Sequence, residues 1–383
     1  MTNHARKPFK MVMLAPTSVV GGIATWTKYF LRYYDSGKMR LWVIDNAKRY
    51  EEIGKESNLR GILMGVLNSF LLLSKLILVF CRRRPQLVYL TCSGYWSFFT
   101  RDLMLVTVSK WLGMKTLIHL RAGDIRAFYG HSRLSQWLSG QVMRRADRII
   151  VITRDIEAHS MALYPQTVYL PNMLDEDVLH RVESSRGQPQ VGQMKALHMA
   201  WQSPAKGTYD VIDACALLKD SCPDLVCDLV GRAAPEHEVV ILRKIQESGL
   251  EGRVRLRPET VGDEKWKYFN EANLFLFPSR TEGFPNVILE AMCFGLPIIA
   301  SNVGNIPEMV GWDTDSEAAW ILKRHPVSAA ELAETIASLI SNPDLRRKMG
   351  ENGRRRIRNY LAKNVMPQIE DLILHTLEEG KAS

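Results

Sequence analysis

Short apolar runs alternate with helical patterns along most of the chain, and this alternation predicts the fold class. In the first half, KMVMLAP, RLWVID, QLVYLT, KTLIHL, RIIVIT and TVYLP have the length of buried strands. Helical patterns between them include residues 23–34, the stretch from Ile62 and residues 102–112. The second half repeats the scheme with KALHMAW, DLVCDLVG, RVRLRP, NLFLFPS and LPIIASN. The pattern predicts an α/β protein with two parallel sheets, each covered by helices on both faces.

A polar stretch separates the two predicted sheets. Residues 181–195, RVESSRGQPQVGQMK, are rich in Gly, Pro, Ser and Gln, which is typical of a linker. We therefore expect one Rossmann-like domain over residues 1–185 and a second over 186–360. A C-terminal helix over 361–383 would follow, free to return to the first domain. Doubly wound domains bind ligands at the carboxyl ends of their strands, so the expected ligand site is a cleft that both domains face.

One apolar run is long enough to raise the question of a transmembrane helix. It extends from Ile62 to Cys81, with polar interruptions at Asn68, Ser69, Ser74 and Lys75. A transmembrane helix needs about 20 mostly apolar residues, and these interruptions favour a packed helix that ends before Pro85. The arginines at positions 82–84 are then either a cationic helix end or a patch for lipid headgroups. The basic stretch RLSQWLSGQVMRRADR is a second candidate for contact with an anionic membrane.

The charge of the chain narrows the class of its partner. The 383 residues carry a formal net charge of +9, which points to nucleic acid, anionic lipid or a phosphorylated small molecule. The basic residues are spread among helix ends without an aromatic-interleaved patch, which disfavours nucleic acid. The six cysteines lack metal-type spacing, and the N-terminus lacks a signal-peptide run. We expect a cytoplasmic protein that can also meet the inner face of the plasma membrane.

Two carboxylates stand eight residues apart in the stretch RTEGFPNVILEAMCFGLPIIASN. Glu282 follows a predicted strand, and a helix with Pro285 as its first residue begins just after it. The free N–H groups of such a helix start favour a phosphate. Glu290, about 7 Å along the helix, is placed to accept hydrogen bonds from a ribose diol, and Glu282 to reach hydroxyls beyond the phosphate. The plainer alternative is a solvated helix glutamate at 290 and a helix-capping one at 282.

The longer stretch PSRTEGFPNVILEAMCFGLPIIASNVGNIPEMV closely resembles the signature of retaining nucleotide-sugar glycosyltransferases of the GT-B fold. More narrowly, it resembles their family four, glycosyl transferases group 1, which holds many bacterial cell-surface polysaccharide transferases. The glutamate pair matches within EGFPN-x3-EA, and GLPIIAS and GNIPEMV match after it. Elsewhere PTSVVGGIATW looks like the family's N-terminal glycine-rich loop, and SPAKGTYDVIDA looks like its lysine-bearing donor loop.

The resemblance implies roles for individual residues. The catalytic set would be His119, Lys206 and Glu282, with Lys206 on the donor phosphates, Glu282 on the sugar and Glu290 on the ribose. The other implied donor contacts are Gly21, Gly22, Gly283, Phe284, Pro285, Asn286 and Val287. Plainer alternatives are a surface lysine at 206, a simple turn at the glycine pair and a core histidine at 119. Some relatives carry a second histidine two residues later, where this chain has Arg121.

One position departs from the family pattern. The family usually has Gly-Arg a few residues before the lysine, and that arginine contacts the diphosphate, whereas this chain has Ala200 and Trp201. A tryptophan cannot neutralise a phosphate, although it can stack on a base or a sugar. Three alternatives are open for the lost charge: Arg232 replaces it, Arg280 replaces it, or no residue does.

Metal use is a separate question, since many sugar transferases hold Mg²⁺ or Mn²⁺ through an Asp-x-Asp pair. This chain has DED at 175–177 and DTD at 313–315. Neither follows a strand directly, and both are typical of turns or helix caps. Relatives of this fold usually neutralise the leaving diphosphate with a helix end and basic side chains. We therefore expect no metal, and no cofactor beyond the sugar nucleotide as co-substrate.

Together these observations predict a metal-independent, retaining glycosyltransferase of the hexosyl type. The donor would be a nucleotide-diphosphate sugar, and the acceptor a hydroxyl of a lipid-linked glycan in bacterial lipopolysaccharide or exopolysaccharide biosynthesis. The departure at Ala200 and Trp201 leaves a non-catalytic GT-B subunit, or a glycan-binding partner of another transferase, as the alternative. A third reading, a sugar-nucleotide epimerase of the same fold, would need acid–base residues that we do not find.

Overall fold

The computed structural model describes residues 8–19, 21–47, 59–92, 98–123, 132–184, 193–324 and 326–379. Two compact units are present, Met1–Met173 with Ala362–Ser383, and Leu174–Leu361. The division falls earlier than the predicted residue 185, because the helix Glu176–Ser184 packs within the second unit. Of the predicted linker, residues 185–192 lie outside the described residues.

The first unit is built on a six-stranded parallel sheet in the order β2-β1-β3-β4-β5-β6. All six strands were predicted from their apolar runs, and they are β1 Phe9–Ala15, β2 Met39–Asp45, β3 Leu87–Cys92, β4 Lys115–Leu120, β5 Arg148–Val151 and β6 Thr167–Tyr169. The helices before the second unit are α1 Gly22–Tyr33, α2 Leu59–Arg83, α3 Leu103–Trp111, α4 Arg133–Arg145 and α5 Arg154–Met161.

The second unit has its own six-stranded parallel sheet, in the order β12-β11-β10-β7-β8-β9. Its strands are β7 Met194–Met199, β8 Leu225–Val230, β9 Val254–Arg257, β10 Leu274–Phe277, β11 Ile298–Ser301 and β12 Ala319–Leu322, of which only β12 was not predicted. Its helices are α6 Glu176–Ser184, α7 Thr208–Leu217, α8 Pro235–Glu247, α9 Gly262–Glu271, α10 Asn286–Phe294, α11 Ile306–Val310, α12 Ala329–Ser341 and α13 Pro343–Arg356. The prediction of two doubly wound parallel sheets is confirmed.

The C-terminal helix α14, Ala362–Glu378, belongs to the first unit. Its apolar face enters the core of that unit, where Ile369 and Ile373 are buried together with Trp26. The buried Glu370 accepts hydrogen bonds from the backbone N–H of Asp35 at 2.9 Å and from the ammonium group of Lys38 at 3.3 Å. The first unit is therefore completed by a segment that follows the whole second unit in the chain.

Helix α2 has apolar side chains on its exposed face as well as on its buried one. Leu72 and Leu76 are buried, whereas a second apolar row is 39–59% exposed and consists of Leu67, Phe70, Leu71, Ile77 and Leu78. No helix among the described residues is long and apolar enough to cross a membrane. The helix ends at Arg83, before Pro85, as predicted.

Candidate active site

The loop after β7 carries Lys206 and packs tightly on the loop after β10. A short 3₁₀ turn, Pro204–Lys206, leads into α7 through Gly207, whose φ is +76°. A Cβ atom at Gly207 would lie 2.2 Å from the carbonyl oxygen of Pro278, so a glycine is required for this approach. The backbone N–H of Arg280 also donates to the carbonyl of Ala205 at 2.9 Å. The two loops are thereby held against each other.

A buried polar network lies beneath the Lys206 loop. His198 Nδ1 donates to the carbonyl of Leu276 at 3.0 Å, and its Nε2 lies 3.3 Å from the hydroxyl of Thr208. The Thr208 hydroxyl also receives the backbone N–H of Ser203 at 3.0 Å. Burial lowers the pKa of His198 to about 4, opposed by the Leu276 carbonyl and assisted by the charge of Lys206. The imidazole is therefore neutral at pH 7, and the Thr208 hydroxyl donates its own proton to Oε1 of Gln202 at 3.1 Å.

Glu282, in the loop after β10, forms an ion pair with Lys206. The distance between Lys206 Nζ and Glu282 Oε1 is 2.5 Å, and the two side chains are 30% and 10% exposed. The alternative of a helix-capping glutamate is wrong, because α10 has Pro285 at its N-cap position and no side-chain cap. Pro285 thus precedes the helix, rather than being its first residue as predicted. The implied catalytic pair is brought together in one unit.

The backbone around Gly283 is held by the loop after β11. The N–H of Asn305 donates to the carbonyl of Gly283 at 2.8 Å. Gly304 has φ of +57°, and a Cβ atom there would lie 2.3 Å from the carbonyl oxygen of Glu282. Of the other implied donor contacts in this loop and helix, Phe284 and Pro285 are buried, and Asn286 and Val287 are half-buried.

Glu290 lies inside the second unit, and the alternative of a solvated helix glutamate is wrong. Glu290 is 4% exposed, and every residue of α10 from Ile288 to Phe294 is buried. Lys265 of α9 reaches it, with Nζ 2.5 Å from Oε1. Sequence reasoning missed Lys265, because a lysine between charged residues on an amphipathic helix has no local sign of an inward role.

The two arginines that could replace the one missing from the family pattern are both paired with carboxylates. Arg232 pairs with Glu259 at 2.7 Å, and Arg280 lies 3.5 Å from a carboxylate oxygen of Asp210. Trp201 is 39% exposed in the loop after β7. Lys206 and the N-terminus of α10 therefore supply the positive charge around Glu282 in the structure as it stands.

Gly21 and Gly22 lie in the first unit, at the start of α1. Gly21 is the N-cap residue with φ of +151°, a backbone conformation that favours glycine, and its carbonyl accepts the N–H of Thr25 at 2.9 Å. Among the described residues, a Cβ atom at Gly21 would meet nothing within 4 Å. Conformation, rather than crowding within the chain, is therefore the reason for glycine at this position.

His119, at the end of β4, is enclosed in an aromatic cluster of the first unit. Its Nδ1 lies 2.7 Å from the hydroxyl of Tyr89, and its Nε2 lies 3.2 Å from Nη1 of Arg121. Because a guanidinium only donates, Nε2 accepts and Nδ1 carries the proton. Burial, with the charge of Arg121, holds the pKa of His119 well below its usual range. This is the environment of the core-histidine alternative, and the catalytic role stays a prediction.

Arg121 is the more accessible member of that cluster. Its Cζ lies 4.9 Å from the ring centroid of Trp26, within the range of a cation–π interaction. Burial lowers the pKa of Arg121 to about 10, opposed by Tyr89, so the side chain stays charged at neutral pH. The residue that replaces the second family histidine therefore brings a permanent cation to the carboxyl end of β4.

The two Asp-x-Asp segments have the local roles expected of caps and turns. The Asp175 side chain accepts the N–H of Asp177 at 2.9 Å before α6, and Asp313 lies in a turn with φ of +60°. Over the described ranges, no group of three or more His, Cys, Asp or Glu side chains is arranged to hold a metal ion. The absence of a metal requirement remains a prediction.

Comparison with known proteins agrees with this arrangement. Residues 183–356, which contain Lys206, Lys265 and both glutamates, match the family described as glycosyl transferases group 1. The match covers just under half of the chain and lies within the second unit. The structure of HepE from Anabaena, solved in complex with UDP, covers 96% of this chain and is itself covered fully, with a TM-score of 0.73 and 17% identity. The GT-B fold expected from the resemblance is thus confirmed.

Relatives of this chain include bacterial mannosyltransferases. The MMP alpha-(1->4)-mannosyltransferase of Mycolicibacterium hassiacum is 32% identical over 178 residues, which are 46% of this chain and 42% of that protein. The lipopolysaccharide core biosynthesis mannosyltransferase LpsB of Rhizobium meliloti is 25% identical over 213 residues, 51% of this chain and 57% of LpsB. The chain thus matches about half the length of these two relatives.

Substitution of Gly304 by alanine should disturb the Glu282 loop beyond its effect on backbone strain. Gly252 is a matched control, because its φ of +79° imposes similar strain while a Cβ atom there meets nothing within 4 Å. We expect Gly304→Ala to lower the free energy of unfolding by at least about 1 kcal/mol more than Gly252→Ala does. Urea unfolding of both variants measures the difference, and equal losses would show that the close approach to Glu282 is easily relieved.

The neutral His198 should make the second unit sensitive to mild acid. The unfolded histidine takes up a proton near its ordinary pKa of about 6.5, while the folded one does so only near pH 4. Stability is therefore complete above pH 6.5 and falls between these values, by up to about 1.4 kcal/mol per pH unit. Urea unfolding across this range should show a steeper loss for the native protein than for His198→Gln, and parallel curves would contradict it.

Proposed function

We propose that the protein is a retaining glycosyltransferase that uses a nucleotide-diphosphate sugar as donor. The observation that carries the proposal is the Lys206–Glu282 pair at 2.5 Å, just before the uncapped N-terminus of α10, inside the segment that matches glycosyl transferases group 1. A cation, the N-terminal end of a helix and a carboxylate at one place suit a diphosphate linked to a polyhydroxylated group. That combination is the chemistry of a sugar nucleotide.

In the proposed complex each charged group takes one part of the donor. Lys206 and the start of α10, beginning at Asn286, bind the diphosphate. Glu282 exchanges its bond to Lys206 for hydroxyls of the sugar, and Glu290 accepts hydrogen bonds from the ribose. Gly283, Phe284, Pro285 and Val287 line the donor, and Gly21 and Gly22 allow backbone approach in the first unit. His119 orients sugar or acceptor, which requires its bond to Arg121 to open.

The proposed reaction breaks the bond between the anomeric carbon and the donor phosphate oxygen. The acceptor hydroxyl oxygen forms the new bond to that carbon from the same face, and its proton passes to the leaving phosphate oxygen. No side-chain base is needed in this scheme. Stabilisation of the negative charge on the leaving diphosphate, by Lys206 and the helix N-terminus, supplies most of the catalysis. A metal ion has no assigned role.

The acceptor class is proposed from the relatives. LpsB acts in lipopolysaccharide core biosynthesis, and the Mycolicibacterium hassiacum relative transfers mannose, as their names state. We therefore propose a hydroxyl of a lipid-linked glycan in bacterial cell-surface polysaccharide biosynthesis as the acceptor. HepE was solved with UDP, and this supports a nucleoside diphosphate as the product to be tested first.

Nucleotide binding is the first test of the donor site. We expect one of UDP, GDP, ADP and dTDP to raise the melting temperature of the native protein. A ligand at 100 times its dissociation constant stabilises the folded state by about 2.7 kcal/mol. Glu290→Gln should lose most of this shift in melting temperature, because the ribose would lose a charged hydrogen-bond acceptor. The control is Glu264→Gln, at an exposed glutamate of α9, which should keep the shift.

Each result separates the proposed function from its rivals. If no nucleotide stabilises the native protein, the departure at Trp201 has removed the donor site and the non-catalytic subunit becomes the better account. If a nucleotide binds, the corresponding sugar nucleotides are assayed for turnover with and without Lys206→Gln. Binding without turnover of any of them, or turnover unchanged in Lys206→Gln, would contradict the enzymatic proposal.

We further propose that the first unit contacts an anionic membrane through α2. The exposed row Leu67, Phe70, Leu71, Ile77 and Leu78 follows one face of the helix, and exposed arginines at positions 82–84 stand at its end. An apolar row bordered by cations suits a bilayer surface with anionic lipid, where apolar side chains enter the interface and arginines meet headgroups. A lipid-linked acceptor would be presented at such a surface.

Membrane binding should depend on this face of α2. The double variant Phe70→Ser with Leu71→Ser is expected to bind vesicles of phosphatidylcholine and phosphatidylglycerol about tenfold or more weakly than the native protein, since two apolar side chains no longer leave water. Leu217→Ser with Leu242→Ser, at exposed leucines of the second unit, is the matched control. Co-sedimentation measures both, and equal binding by the two double variants would contradict the assignment.

A further inference from the structure

The Glu290 carboxylate is an unusual acidic group for its surroundings. Its side chain is 5% exposed, and α10 around it is apolar and buried. An isolated carboxylate in such a place costs several kcal/mol of desolvation, so an ionised one needs a cation or a full set of donors. Lys265 supplies the cation, with its Nζ 2.5 Å from Oε1.

The two oxygens of this carboxylate differ in their partners. Oε1 accepts from Lys265, whereas Oε2 is buried and has no hydrogen-bond partner within the described part of the chain. A buried acceptor without a donor costs about 1–3 kcal/mol, and such groups in native proteins need an explanation. A hydroxyl donor from a bound ligand would satisfy Oε2 without disturbing the ion pair.

The lysine is itself held in place. Its ammonium lies 5.1 Å from the ring centroid of Trp266, and that ring stacks on Phe294, the last residue of α10, with centroids 5.8 Å apart. The cation–π contact and the stack tie Lys265 to the helix that carries Glu290. The orientation of the carboxylate is thus determined by packing between α9 and α10.

We propose that Lys265 is a positioning residue of the donor site, which holds Oε1 of Glu290 so that Oε2 is presented to the ribose hydroxyls. The inference rests on the proposed function, and adds to it a residue that selects for ribose. Lys265 acts through Glu290 and does not touch the nucleotide. Its removal should therefore weaken only the part of nucleotide affinity that the ribose hydroxyls contribute.

The test compares a nucleotide with its form lacking both ribose hydroxyls. The probe is whichever of UDP, GDP and ADP binds the native protein, with the matching 2′,3′-dideoxynucleotide, and calorimetry measures both dissociation constants. Lys265→Met should weaken the ribonucleotide about tenfold or more and the dideoxynucleotide less than about twofold, since a hydrogen bond to a charged group is lost only with the former. Lys265→Arg should restore most of the difference.

Lys267→Met is the matched control, because Lys267 lies two residues further on the same helix and is exposed. It should leave both dissociation constants unchanged. Equal weakening of both ligands by Lys265→Met would show a merely structural lysine, and no weakening would show no role, while the donor site itself would stand. If the native protein binds both forms equally, or binds dTDP but none of the three ribonucleotides, the ribose assignment of Glu290 fails. If it binds no nucleotide, the proposed function fails as well.

Discussion

An ionised carboxylate shielded from water needs a cation or a full set of hydrogen-bond donors, and two ion pairs of the second unit meet that constraint. Glu282 and Glu290 come from one loop and the helix that follows it, but their lysines come from elsewhere. Lys206 belongs to the turn after β7, and Lys265 to α9. Each pair therefore links segments that are distant in sequence, and the positions of both loops follow from where the charges must meet.

A second buried carboxylate of this unit differs from Glu290, because both of its oxygens accept hydrogen bonds. Asp228 of β8 is also buried, and both of its oxygens are used, by Arg255 at 2.9 and 3.0 Å and by Arg257 at 3.2 Å. Such full satisfaction is what a structural ion pair requires. Within the ranges that the structure describes, Glu290 has one oxygen engaged and one without a hydrogen-bond partner. The comparison distinguishes a carboxylate that stabilises the sheet from one whose hydrogen bonding is incomplete.

Local pattern was sufficient for most of the fold, since eleven of the twelve strands lie in apolar runs visible in the sequence. The strand β12 was missed because its apolar run, AAWIL, begins with alanines, which are depleted in strands. The glutamates were found by pattern and resemblance, but the burial of Glu290 was not, because α10 is buried on all sides from Ile288 to Phe294 rather than along one stripe. Lys265 and the enclosure of His119 depend on contacts between distant elements, which periodicity does not encode. The exposed apolar row of α2 could not be recognised from the sequence either, because a fully buried helix has the same composition.

The path of the chain has a consequence for how the protein is made. The second unit, Leu174–Leu361, is continuous, whereas the first needs α14, whose Ile373 fills its core. During synthesis the first unit thus has all its strands early but lacks one wall until the second unit has been translated. Domains generally fold as their segments leave the ribosome. The second unit can therefore reach its native state first. Until α14 is made, the core of the first unit stays uncovered on the side of Trp26.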